Sequence, residues 1–176
     1  GFRPAGPGRF AAYAIDVSGS GVTAALLTAA VGQESGAAVT VALADEIDIV
    51  RGDMFARPNN RPYVGRDIDS MVCWFSESGR LQAGSSYLIN CGTRQTRVTV
   101  AGMNYRLDVN TLHRDKSATA LKLNELGRVT LRTQVPLLLD EYSRNPATGS
   151  FILIDPDTNG TVGAGMVRDT TPAANR

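Results

Sequence analysis

Lysine, histidine and cysteine are scarce in this chain of 176 residues: there are two lysines, one histidine and two cysteines. A phosphate-cradling P-loop needs a glycine-rich turn ending in Gly-Lys-Ser/Thr. No Gly-Lys pair occurs, and the only lysines are Lys116 and Lys122. Zinc sites draw on clustered Cys and His. Cys73 and Cys91 are far apart with no CxxC spacing, and His113 stands alone, so no such site is expected. The longest apolar run, residues 22–31 (VTAALLTAAV), is about half of the roughly twenty residues a membrane helix requires. No membrane role is expected. No signal-peptide pattern is seen, so both thiols are expected reduced in a cytoplasmic protein. A formal net charge of +1 argues against a dedicated nucleic-acid binder.

What the chain does have is 43% hydrophobic residues, 18 glycines and 8 prolines spread along its length, with Val, Ile and Thr in short runs. That pattern favours many short strands joined by tight turns, hence an all-β fold. Charge is uneven. Residues 1–56 carry three arginines against six acidic residues, whereas 57–168 carry fourteen basic against ten acidic. The basic excess reads first as a solvated face and second as a contact surface for an acidic partner.

Residues 1–10 (GFRPAGPGRF) form a turn-rich lead-in. A strand is expected at 11–17, a short helix over 22–31 on Ala/Leu propensity, and strands at 37–43 and 48–55 around the acidic turn 44–48. Residues 57–66 (RPNNRPYVGR) have the composition of an extended linker. The expected organisation is therefore a first segment over 1–56 whose strands make a β-hairpin or the corner of a barrel, the linker 57–66, a barrel over 67–168 and a disordered tail over 169–176. Strands of that barrel are expected at 68–75, 85–91, 96–109, 127–133, 150–155 and 161–167. In 96–109 the apolar set changes phase: Val98 and Val100 are even, whereas Met103, Tyr105, Leu107 and Val109 are odd. A one-residue slip of this kind predicts a β-bulge at Ala101 or Gly102, of the sort that lets a small sheet close into a barrel.

Five blocks carry a resemblance: DEIDIVRGDM (45–54), DSMVCWF (69–75), YRLDVNTL (105–112), LKLNELGRVTL (121–131) and NPATGSFILIDPDTNGTVGAGMV (145–167). In this order the chain resembles the end of the second domain and the whole third domain of the GTPase-type large subunit of sulfate adenylyltransferase. It resembles more distantly the third domain of elongation factor Tu. The resemblance implies a Greek-key β-barrel of the translation-GTPase domain 3 type, preceded by a partial second β-barrel, so that the first segment, 1–56, is expected to be an incomplete barrel. It also implies a heterodimer in which a small catalytic subunit joins ATP and sulfate into adenosine phosphosulfate and pyrophosphate, while the large subunit hydrolyses GTP. GTP and magnesium are expected in an N-terminal domain upstream, because neither a P-loop nor an NKxD motif is present. The chain itself is expected to act as a non-catalytic adaptor, with no catalytic, cofactor-binding or metal-ligating residue of its own. Before about residue 37 the match loosens, and the chain is expected to be a fragment beginning inside the second barrel. The alternative is an elongation-factor-type barrel that binds aminoacyl-tRNA, since a shared fold does not fix function.

Several residues invite a functional reading. Arg51-Gly52-Asp53 spells an integrin tripeptide but is expected to be a turn. Asp45, Glu46 and Asp48 are expected to form a solvated acidic corner rather than a cation site. Asp157-Thr158-Asn159-Gly160 fits a DxxG pattern and Asn159-Gly160-Thr161 a glycosylation sequon, yet hairpin-turn chemistry accounts for both. His113 is expected in an exposed loop and Trp74 in the core. Arg94, Arg97, Arg106, Arg114 and Lys116, with Tyr105 among them, form the candidate contact set for an acidic surface or RNA phosphates.

Overall fold

The computed structural model describes residues 9–15, 25–29, 41–43, 53–56 and 62–169. The chain divides into two compact units, Gly1–Pro62 and Tyr63–Arg176. In the first, β1 (Arg9–Ile15), β2 (Ala25–Ala29), β3 (Val41–Leu43) and β4 (Met54–Ala56) form an antiparallel sheet in the order β3-β2-β1-β4. The helix expected over 22–31 is replaced by β2, whose residues pair with β1 (Leu26 opposite Ala11) and with β3 (Leu27 opposite Leu43). Ala/Leu propensity is worth a fraction of a kcal/mol per residue, and a strand paired on both sides outweighs it. Arg9 and Phe10, placed in the lead-in, already belong to β1. The acidic corner Asp45, Glu46, Asp48 and most of the Arg51-Gly52-Asp53 tripeptide lie outside the described residues.

The second unit contains β5 (Tyr63–Trp74), β6 (Leu81–Gln82), β7 (Ser86–Cys91), β8 (Arg94–Leu107), β9 (Arg114–Asp115), β10 (Ala120–Leu121) and β11 (Leu126–Leu139). A single turn, α1 (Pro146–Gly149), then leads into β12 (Ser150–Ile154) and β13 (Thr161–Asp169). The sheet runs β11-β5-β13-β12-β7-β8, and a further pairing of β11 with β8 closes these six strands into an antiparallel barrel. Closure removes the exposed edges of an open sheet.

Alternation directs side chains inward and outward. Along β11, Val129, Leu131 and Thr133 are buried while the intervening Arg128, Thr130 and Arg132 face out. Ile68, Val72 and Trp74 of β5 meet Ile89, Val98 and Leu153 in one core. Full burial of each such aliphatic side chain stabilises by roughly 1.5–3 kcal/mol. The change of phase in β8 is a real bulge. Ala101 is skipped in the pairing with β11, and Asn104 is skipped a second time two pairs further on.

Residues 63–66 pair in β5, with Gly65 opposite Leu137 and Val64 opposite Leu138, although their composition had placed them in a linker. The reason lies in β11. It runs on past Thr133 to Leu139 and supplies the partner that local composition cannot reveal. Pro136 inside β11 is accommodated by a wide bulge, in which residues 133–136 face Arg66 between the pairs Arg132–Asp67 and Leu137–Gly65. At the other end Asp169, assigned to the tail, pairs with Asp69.

Candidate interaction surface

Two six-residue turns share one hydrogen-bonding scheme. In the β12–β13 hairpin, the Asp155 carboxylate accepts the backbone N–H groups of Asp157 and Thr158, both at 2.9 Å. The Asp155 N–H donates to the Gly160 carbonyl and the Asn159 N–H to the Asp155 carbonyl, each at 2.9 Å. After β8 the same bonds recur. Asp108 accepts from Asn110 at 2.8 Å and Thr111 at 3.0 Å, its N–H donates to His113, and Leu112 donates back to it. Backbone N–H donors hold both carboxyls below their ordinary range. The DxxG residues are thus turn residues, as expected, the sequon's Asn159 and Gly160 share that turn while its Thr161 opens β13, and His113 closes an exposed turn.

The two turns differ at one position. The fifth residue takes a left-handed backbone in each, with φ 55° at Asn159 and φ 57° at Leu112. Asparagine tolerates that conformation, whereas leucine pays for its Cβ there. Leu112 is also 70% exposed and Val109 58% exposed, so no burial offsets the strain. Leu112 thus combines a left-handed backbone with an exposed apolar side chain on a hydrogen-bonded turn.

Beside this turn lies a cleft of about 470 Å³ lined in part by Arg106, Asp108, Asn110, His113 and Glu125. Arg106 spans it, donating to Asp115 at 3.0 Å and to Glu125 at 2.9 Å. Those carboxylates are further occupied. Glu125 accepts the Lys122 N–H at 2.8 Å, and Asp115 accepts the Ser117 hydroxyl at 2.6 Å, which with the Ser117 N–H lowers its pKa. The Arg114 guanidinium sits 5.2 Å from the centroid of the Tyr105 ring. This network fixes the loop after β8 and offers no nucleophile paired with a base. Of the basic set read from the sequence, Arg106 and Arg114 meet here with Tyr105, and Lys116 is exposed on the same connection. Arg94 opens β8 at the far end, and Arg97 lies in a different groove.

Trp74 is 1% exposed, donates its indole N–H to Gly79 at 2.9 Å and packs edge-on against Tyr87 at 5.3 Å between centroids. It is a core residue, as expected. Cys91 is buried, its S–H directed at the Ser150 carbonyl at 3.4 Å, and burial pushes its thiol up to about 11. Among the described residues no group of three or more His, Cys, Asp or Glu gathers as metal ligands, and no helix is long and apolar enough to cross a membrane.

A second concavity went unnoticed in the sequence. An apolar groove of about 370 Å³ runs over the outside of the barrel, lined by Met71, Cys73, Leu126, Tyr142, Ile152 and Met166. Apart from Tyr142, on the connection after β11, its residues come from separate strands and meet through register, with Met71 opposite Met166 and Cys73 opposite both Leu126 and Ala164. At its margin Arg128 forks onto Asp69 at 2.7 and 2.8 Å.

A family model described as GTP-eEF1A C-terminal domain-like matches residues 67–168. The chain is 64% identical over 142 residues to the "Bifunctional enzyme CysN/CysC" of Mycobacterium tuberculosis, covering 78% of this chain and 23% of that protein. It is 45% identical over 132 residues to "Sulfate adenylyltransferase subunit 1" of Alteromonas mediterranea, covering 75% of this chain and 28% of that one. The chain thus spans about a quarter of the length of the curated relatives it matches. Among solved structures, Sup35 complexed with GDP superposes with a TM-score of 0.68 at 19% identity over 85% of this chain and 38% of Sup35, a likeness of fold.

Proposed function

The chain belongs to the GTP-eEF1A C-terminal domain-like family, and from that premise we propose that it is the C-terminal barrel region of a sulfate adenylyltransferase large subunit. The observation that carries this reading is the 64% identity over 142 residues to a CysN/CysC protein, joined by a subunit 1 relative at 45%. In the proposed assembly the large subunit hydrolyses GTP to drive ATP and sulfate towards adenosine phosphosulfate and pyrophosphate, for sulfate assimilation in the cytoplasm. GTP and its magnesium belong to the portion upstream of this chain, and adenylyl transfer to the small catalytic subunit. The barrel is a non-catalytic adaptor, a rigid body that carries contact surfaces and moves as a unit.

The two surfaces suit two kinds of contact. Permanent interfaces are the more apolar ones. The sulfur- and aliphatic-lined groove is therefore assigned to the upstream part of the same polypeptide, and the turn at 108–113, with exposed Val109 and Leu112 above a charged cleft, to the small subunit. Co-expression of the tagged chain with the small and upstream parts of the enzyme tests this. Retention of both is expected, with the small subunit lost in a Leu112→Asp variant. Turnover of GTP by the purified 176-residue chain would overturn the adaptor role.

A further inference from the structure

The wide bulge of β11 has a consequence on the outside of the barrel. Where residues 133–136 swing out opposite Arg66, a depression of about 350 Å³ opens, lined by Arg66, Ser86, Arg97, Thr99, Arg132 and Gln134 among others. The three arginines come from β5, β8 and β11, and register brings them together. Arg132 stands opposite Thr99 on one side and Asp67 on the other, Thr99 opposite Ser86, and Arg97 is two residues along the same outward face of β8. All three are exposed. The one ion pair here among the described residues is Arg132 with Asp67, at 3.5 Å with both side chains well exposed. Neither Arg66 nor Arg97 forms an ion pair among the described residues.

We propose that this depression is a binding site for a tetrahedral dianion, a phosphate or sulfate group, held between the guanidinium groups of Arg66, Arg97 and Arg132. Guanidinium forks match the spacing of oxygens on such a group and bind it through paired, charge-assisted hydrogen bonds. The hydroxyls of Ser86 and Thr99, 3.3 Å from one another, and the amide of Gln134 supply further neutral donors around the same space. Like charges brought together by register repel, and a dianion between them relieves that repulsion, whereas one weakly held carboxylate neutralises only a third of it. Bulges are over-represented at sheet edges, at barrel rims and beside active sites, where they re-aim side chains. Nothing in the barrel's packing calls for three arginines here, since all of them point away from the core. The contact set read from the sequence held Arg97 alone of the three.

The test is a titration of the 176-residue chain in phosphate-free buffer, followed by the backbone and Arg Nε–H signals of a nitrogen-labelled sample. Sodium sulfate, inorganic phosphate and adenosine 5′-monophosphate are compared with sodium chloride at matched ionic strength. Saturable shifts at Ser86, Arg97 and Thr99 with the dianions but not with chloride are expected. Arg66→Gln and Arg97→Gln should each weaken binding about tenfold, and Arg80→Gln, outside the depression, should leave it unchanged. Equal affinity for inorganic phosphate and the nucleotide identifies a free anion as the ligand, and tighter nucleotide binding a phosphate ester; both support the site. Shifts that track ionic strength alone, or that survive Arg66→Gln and Arg97→Gln in chains whose spectra are otherwise native, overturn it.

Discussion

Leu112→Asn should make the protein more stable, although the substitution replaces an apolar residue by a polar one. A non-glycine residue in the left-handed region costs roughly 1–2 kcal/mol, and Asn escapes most of that. Leu112 is 70% exposed, so the burial forfeited is under a third of a leucine, about 0.5 kcal/mol. The net gain is about 0.5–1 kcal/mol, a rise in Tm of about 1–4 °C. The sister turn provides the reverse experiment. Asn159, at φ 55° in the same scheme of hydrogen bonds, should lose about 1 kcal/mol on replacement by Leu. Thermal unfolding of the chain and its two variants reads both effects, and opposite signs are expected. A Leu112→Asn variant whose Tm falls, or an Asn159→Leu variant whose Tm rises, would refute the account of strain. In the proposed complex with the small subunit the same Leu112→Asn change should weaken association at least tenfold while the free chain gains stability, which separates a contact residue from a structural one.

Other expectations are equally direct. The Arg128–Asp69 fork, with side chains 27% and 9% exposed, lies between an exposed ion pair and a fully buried one, so a double-mutant cycle with Arg128→Met and Asp69→Asn should give a coupling of about 2 kcal/mol; a coupling under 0.5 kcal/mol contradicts the geometry. Asp108, Asp115 and Asp155 have folded pKa values below the ordinary 3.8, so the support they give is complete above about pH 4 and is lost as pH falls through their folded values. Carboxyl-carbon NMR titration should find all three midpoints under 3.8. A Cβ on Gly149 would stand 2.5 Å from the backbone N and Cα of Tyr142, so Gly149→Ala should cost about 3 kcal/mol, and a native Tm would show that the turn yields. Cys91, with its thiol near 11 and its side chain buried, should react with a disulfide reagent at pH 8 far more slowly in the folded chain than after unfolding; equal rates contradict its burial.

The six expected strands between 68 and 167 were legible because their pattern is local, whereas the two-residue strands β6, β9 and β10 and the far half of β11 left no such pattern. Val98 and Val100 against Met103 and Tyr105 spell a change of face, and the structure puts a skipped residue at Ala101 between them. The β12–β13 turn announced itself in the same way, through Asp157-Thr158-Asn159-Gly160. Where the outcome hung on a distant partner, composition misled. Residues 63–66 read as linker until β11 supplied its far half, and Ala25–Ala29 read as helix until strands flanked it on both sides.

Sequence by itself determined the all-β class, the order of the six barrel strands, the phase slip in β8 and the resemblance that points to a family. Only the tertiary structure decided which outward-facing residues share a surface. Met71 with Met166, Arg106 with Asp115 and Glu125, and Arg66 with Arg97 and Arg132 are each assembled from different strands or their connections. The physical reason is that inward positions are marked by hydrophobicity along a single strand, which local sequence records. Outward positions become a site only through cross-strand register, which is fixed by barrel closure and by bulges acting between residues far apart in the chain.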